Sequence, residues 1–310
     1  MFSVIFPGQG SQVVGMSSDL YTKFELIKKL YKEADEVLNC PISKLILNGP
    51  KEDLDLTENT QPAIFLVGYS IFQILKKEFN IDLNKAKFFA GHSLGEYTAL
   101  ACAGTLDFTS TLKILKLRGK AMQTAVPKGE GGMLAILGSD INTIEKNFEE
   151  NKSHYECFIA NDNSNTQIVA SGTMENINKL SKNLTSKNIK NIRLSVSAPF
   201  HCNLMRPATE IMKNEISKAE FKDSKVKILS NVTASEVDQA EEIKKLLVEQ
   251  IEKPVRWREI ILYMIEKNIK TFVEIGPGKV LSGLIKRIDK NVNVISINEY
   301  EDLDNLKFND

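Results

Sequence analysis

Cysteine is scarce: four residues in 310, at positions 40, 102, 157 and 202. That is too few for a disulfide scaffold, and none has the CxxC spacing of zinc or redox sites. Reduced thiols and no metal site are therefore expected. Histidine is scarcer still, with three residues, so an imidazole base can only be His92, His154 or His201. Net charge is missing as well, because 40 basic side chains balance 40 acidic ones. This removes the electrostatic case for a nucleic-acid or anionic-membrane partner. Apolar runs such as 63–67 and 260–265 fall far short of the roughly 20 residues that a membrane span needs. No basic or long apolar leader precedes Phe2-Ser3-Val4-Ile5-Phe6, so a cytoplasmic location is expected. No fixed-period repeat or low-complexity tract is visible.

What remains is ordinary globular material, 42% hydrophobic and 26% charged, long enough for about two domains or one elaborated α/β unit. Val4-Ile5-Phe6 is a buried-strand pattern that ends in the glycine-bearing turn 7–12. Helical spacing follows at about 20–38 and 60–78, then a second strand at 87–90, and helices at about 93–102 and 109–125. The segment 127–132 breaks the pattern. Beyond it the expected order is strand 133–138, helix 142–150, strands 157–160 and 167–170, helix 174–186 and strand 189–196. That order is βαββαβ, the ferredoxin-like unit. Alternation then resumes, with helices near 203–218, 240–250, 256–267 and 279–288 and strands at 226–229, 271–275 and 292–297. The expectation is an α/β fold: a mostly parallel core made of 1–127 and 198–310, and a small inserted domain at 128–197.

Gly91-His92-Ser93-Leu94-Gly95 is a G-x-S-x-G placed between a buried strand and a helix, where the turn can hold a serine at the strand tip. Ser93 is the candidate nucleophile, and the alternative is a serine that only caps the helix. Leu94 N–H, at the helix start, suits developing negative charge. A serine hydroxyl needs a base. His92 is its immediate neighbour and points away, and His154 lies in the polar stretch 151–156. His201 follows the strand ending near 196, in a loop of the kind that hosts sites in open α/β sheets; by elimination it is the candidate base, with a helix cap as the alternative. Cys202 as nucleophile lacks activating surroundings.

At about 100° per residue, Arg118 falls in the middle of the apolar side of helix 109–125, beside Met122. A guanidinium there requires an anion or acceptors. Either it forks onto a substrate carboxylate or it pairs with a structural Asp or Glu. Gly8-Gln9-Gly10 is no dinucleotide loop, since the third glycine would fall at Val13; the turn suits a backbone oxyanion donor instead. Glu96 is expected to offset the helix dipole, the 276–278 turn to be a structural bend, and Asp107, Asp140 and Asp162 to be caps at element boundaries.

Seven segments (6–12, 91–97, 118–119, 198–201, 231–233, Gln250 with 254–257, and 274–278) together resemble the malonyl-CoA:acyl carrier protein transacylase family, in order and across nearly the whole chain. The resemblance implies a hydrolase-like α/β core with a ferredoxin-like insertion. It implies Ser93 as acyl-carrying nucleophile, His201 as base and then acid, and Arg118 as partner of the malonyl carboxylate. It further implies the N–H groups of Gln9 and Leu94 as oxyanion hole and the main-chain carbonyl of Gln250 as the group that orients His201. Phe200 stands where some members have a small residue, and with Met122 it is expected to border the acyl pocket. Malonyl-CoA and acyl carrier protein would be the partners, with a monomeric protein and no cofactor of its own.

Overall fold

The computed structural model describes residues 1–196 and 198–303. Ser197, beside the expected boundary, and 304–310 lie outside the described residues. Among the described residues ten strands form two sheets. The larger holds β1 (Phe2–Phe6), β2 (Phe88–Gly91), β7 (Lys227–Leu229), β8 (Glu236–Val237), β9 (Thr271–Ile275) and β10 (Asn293–Ile297), in the order β10-β9-β1-β2-β7-β8. All its pairings are parallel except β7 with β8. Parallel sheets are covered on both faces and read as continuous apolar runs, and β1 obeys this. Val4 and Phe6 pack with Phe65, Phe72 and Phe89 on one side, while Ile5 packs with Phe88, Trp257 and Phe272 on the other.

The second sheet holds β3 (Gly131–Leu137), β4 (Cys157–Ser164), β5 (Gln167–Thr173) and β6 (Lys190–Arg193), ordered β4-β5-β3-β6 and antiparallel throughout. Helices Ile141–Glu150 and Met174–Ser186 connect its strands and bury Ile144, Ile177, Leu180 and Leu184 against it. The smaller sheet is tied to the segment leading into helix Trp257–Glu266, which packs on the larger sheet, where Val255 exchanges backbone hydrogen bonds with Ala160 and Asp162 at 2.8 and 2.9 Å, next to an Arg258–Asp162 ion pair of 2.8 Å.

Element order and type follow the sequence pattern, with local differences. The helix expected over 20–38 is broken into Ser18–Lys23 and Glu25–Leu38. Phe24 leaves it in an extended conformation, its ring against Phe79 and Tyr300. The strand expected over 189–196 stops at Arg193, and Leu194 and Val196 instead wall the site described below. Short helices at Ile42–Asn48, Lys51–Leu54 and Tyr300–Leu303 and the two-residue β8 are too brief to impose a period on the sequence. Among the described residues no helix is long and apolar enough to cross a membrane.

The long helix Thr57–Lys77 is buried along most of its length and packs against helix Phe108–Thr124, which starts on the Asp107 side chain accepting from Ser110 N–H at 2.9 Å. A Cβ on Gly119 would meet the Thr57 carbonyl at 2.4 Å. This close crossing brings Arg118 beside Gln61.

Candidate active site

Strand β2 ends at Gly91 and helix Leu94–Cys102 begins three residues later. A turn that sharp needs Gly91, whose Cβ would lie 1.9 Å from the Gly95 carbonyl. It leaves Ser93 at φ 53°, ψ −110°, a conformation that costs a non-glycine residue of order 1–3 kcal/mol and persists only where the surroundings impose it. The hydroxyl thereby leaves the strand tip and meets the candidate base. Ser93 Oγ lies 2.8 Å from His201 Nε2, and His201 Nδ1 lies 2.8 Å from the Gln250 main-chain oxygen. A carbonyl can only accept, so Nδ1 carries the proton and Nε2 presents its lone pair to the serine.

Arg118 is 1% exposed and meets only neutral acceptors. Nη1 donates to Gln61 Oε1 at 2.8 Å, and Nη2 donates to Gln250 Oε1 at 2.9 Å and to Ser93 Oγ at 3.2 Å. No carboxylate stands at ion-pair distance from it among the described residues, and its Nε–H is buried without a partner. The structural ion pair weighed from the sequence is thus not formed, and a buried cation without a counter-ion stands beside the candidate nucleophile. Among the described residues no acceptor takes the N–H of Gln9 or of Leu94. Both residues line one cavity of about 90 Å³ together with Ser93, His201, Arg118, Met122 and Phe200. Through Gln9, His92 and Leu194 this cavity adjoins a cleft of about 800 Å³ that reaches Lys279 and Arg287.

Neither of the other histidines bonds to the serine hydroxyl. His92 Nε2 is held by Asn163 Oδ1 at 2.8 Å with its ring against Trp257, and His154 sits in an exposed turn. Cys202 donates to the Pro199 carbonyl at 3.1 Å, and burial pushes its thiol up. Two sequence expectations are corrected. Asp162 is no cap: it lies inside β4 and is buried against Arg258, because the helix Trp257–Glu266 that packs on β4 brings a guanidinium there. Asp107 and Asp140 do cap. Glu96 does more than face a helix dipole. It is 2% exposed and accepts from Gln250 Nε2 at 2.7 Å and Asn231 N–H at 3.1 Å, and burial pushes its carboxyl up to about 7. The side chains of Gln61, Gln250 and Asn231 escaped sequence reasoning. The available signals were a polar Gln61 inside a helix otherwise apolar along 62–67, and the presence of Asn231 and Gln250 in segments that carry the family resemblance.

Burial, and next the charge of Arg118, drives the His201 imidazole down to about 3. A nuclear magnetic resonance titration of the free protein should therefore find His201 neutral through about pH 5; protonation near the ordinary ~6.5 would contradict this geometry. The unfolded chain takes up that proton near ~6.5, so His201 makes stability fall as pH drops from there toward 3.

The acyl transferase domain family matches residues 3–299. The malonyl CoA-acyl carrier protein transacylase of Bacillus subtilis (strain 168) is 40% identical over 303 residues, 97% of this chain and 94% of that protein. The crystal structure of an acyl-carrier-protein-S-malonyltransferase from Bartonella henselae superposes with a TM-score of 0.95 at 38% identity, covering 98% of this chain and 97% of that one. A malonyl-transacylase solved in complex with a type II PKS acyl-carrier protein gives 0.93 at 36% identity, covering 97% of both chains. Likeness of this extent, carried by a chain whose serine, imidazole and guanidinium converge on one cavity, places it in the acyl transferase family, among the malonyl CoA-acyl carrier protein transacylases.

Proposed function

We propose that the protein moves a malonyl group from coenzyme A to the phosphopantetheine thiol of acyl carrier protein through a malonyl-serine intermediate, supplying fatty-acid synthesis. The observation that carries this is the meeting of Ser93 Oγ with both His201 Nε2 and Arg118 Nη2, at 2.8 and 3.2 Å: a nucleophile, its base and an anion partner around one oxygen.

In the first half-reaction the malonyl carboxylate pairs with Arg118. His201 Nε2 takes the hydroxyl proton as Oγ attacks the thioester carbonyl, and the N–H groups of Gln9 and Leu94 receive the oxyanion. Collapse expels the coenzyme A thiolate, which takes the proton from His201 and leaves the ester on Ser93. In the second half-reaction His201 removes the proton of the carrier's thiol, the thiolate attacks the ester, and Oγ departs with the proton returned. The Gln250 carbonyl stabilises the imidazolium in both halves, where an ordinary triad has a carboxylate.

The same reading takes the larger sheet as a hydrolase-like core, 1–127 and 198–310, and the smaller one as a ferredoxin-like insertion at 128–197. Its element order and its strand order β4-β5-β3-β6 support the latter. It further proposes a cytoplasmic monomer with no metal or cofactor of its own, no nucleic-acid partner and no membrane attachment, coenzyme A and phosphopantetheine arriving with the substrates. Following malonyl-CoA consumption with and without acyl carrier protein tests the reaction. Dependence on the carrier is expected, and equal consumption without it would make the protein a thioesterase.

Phe200 and Met122 wall the acyl cavity, so a methyl branch on C2, with carboxylate and carbonyl both held, points at packed side chains that resist displacement. Malonyl should be preferred over methylmalonyl, and Phe200→Ser should relax the preference by about 1–3 kcal/mol. A ratio of kcat/KM values unmoved by the substitution would remove Phe200 from the specificity wall.

A further inference from the structure

Two polar groups of the strained turn, the N–H of Ser93 and the carbonyl of Gly91, are satisfied by one side chain outside the cavity. Asn231 follows β7, the parallel neighbour of β2 with Leu229 opposite Ala90, and the register sets its side chain beside the turn. Its Oδ1 accepts from Ser93 N–H at 2.7 Å, and its Nδ2 donates to the Gly91 carbonyl at 2.7 Å. Its own N–H donates to Glu96 and its carbonyl accepts from Arg256 N–H. It is fully buried. The amide orientation is not interchangeable, since the N–H of Ser93 needs an acceptor and the C=O of Gly91 a donor. Where β2 leaves the ladder to make the turn, the carboxamide of Asn231 takes the place of the peptide group that a longer β7 would have offered.

We propose that Asn231 is a positioning residue for the acyl transfer, its side-chain amide holding the positive-φ turn and so aiming Ser93 Oγ at His201 and Leu94 N–H into the cavity. This rests on Ser93 being the nucleophile. A side chain that only supported the fold would cost stability when removed, whereas one that holds the turn sets the rate of acylation after malonyl-CoA has bound.

The test is single-turnover malonylation by malonyl-CoA, followed by intact-protein mass spectrometry in Asn231→Ala and Asn231→Asp, with Ser93→Ala alongside and folding checked by circular dichroism. Asn231→Ala should lower the acylation rate about 10- to 100-fold, the worth of one or two buried hydrogen bonds, with KM little changed. A protonated Asp reproduces both bonds, its carbonyl accepting and its hydroxyl donating, whereas an ionised Asp faces the Gly91 carbonyl without a donor. Glu96, His201, Arg118 and His92 titrate or carry charge around it, so each rate is divided by that of the unmodified protein at the same pH. On that scale Asn231→Asp should exceed Asn231→Ala near about pH 5 and lose the advantage by about pH 9. A folded Asn231→Ala acylating at the unmodified rate, or an Asp variant no faster than the Ala variant at any pH, would overturn the assignment. Should Asn231→Ala not fold, the Asp variant decides: a relative rate that falls with rising pH supports the clamp, and a constant one overturns it. An adduct forming on Ser93→Ala would strike at the nucleophile itself, a separate outcome.

Discussion

Replacing His201 with alanine should slow malonylation of Ser93 by about 10²- to 10⁴-fold, the usual worth of a positioned general base. The size follows from how little else in the cavity can take the proton. Arg118 already donates to the serine oxygen, and a guanidinium carries no acceptor. The Nε2 of His92 is engaged by Asn163. Water entering the space left by the imidazole would lack both the basicity and the orientation that the Gln250 carbonyl imposes on Nδ1–H. Stopped-flow or rapid-quench measurement of the acylation step checks this, and an unchanged rate would move the base elsewhere.

Arg118→Ala should lose about 10²- to 10³-fold in kcat/KM for malonyl-CoA, as expected when one partner of a buried, hydrogen-bonded charge pair is removed. Transfer of acetyl, which has no free carboxylate, should be kept or even gained. The contrast is the informative part. Arg118 also holds the amides of Gln61 and Gln250, so a purely structural role would depress both acyl groups alike. Lys at this position should not rescue fully, because an ammonium cannot donate in parallel from two nitrogens as a guanidinium can. Competing malonyl-CoA and acetyl-CoA in one assay reads the ratio directly.

Much of this arrangement was legible in the sequence for a physical reason: chemistry-bearing residues sat where local patterns changed. Ser93 lay where a buried strand gave way to helical spacing, and Arg118 interrupted an apolar helix face. His201 was one of three histidines, two of which had simpler places. What escaped was the polar layer behind them. Glu96 looks like an acid in a first helical turn, and only the fold shows Gln250 and Asn231 closing over it. The Gln250 side chain joins three partners brought from distant segments, Arg118, Glu96 and the Ser93 carbonyl, and no periodicity encodes a contact across 132 to 157 residues. Asp162 misled because an acid near a strand end usually caps, and its partner Arg258 lies 96 residues away.

The central claim is that the acyl group rests on Ser93 between its two thioesters, because one thiol must leave before the other enters. Intact-protein mass spectrometry after brief exposure to malonyl-CoA, followed by peptide mapping, tests it most directly. The mass should rise by one malonyl group in place of a proton, with the adduct on the peptide containing Ser93, absent from Ser93→Ala and discharged by acyl carrier protein. An adduct that persists in Ser93→Ala, or transfer to the carrier without any covalent species, would contradict it.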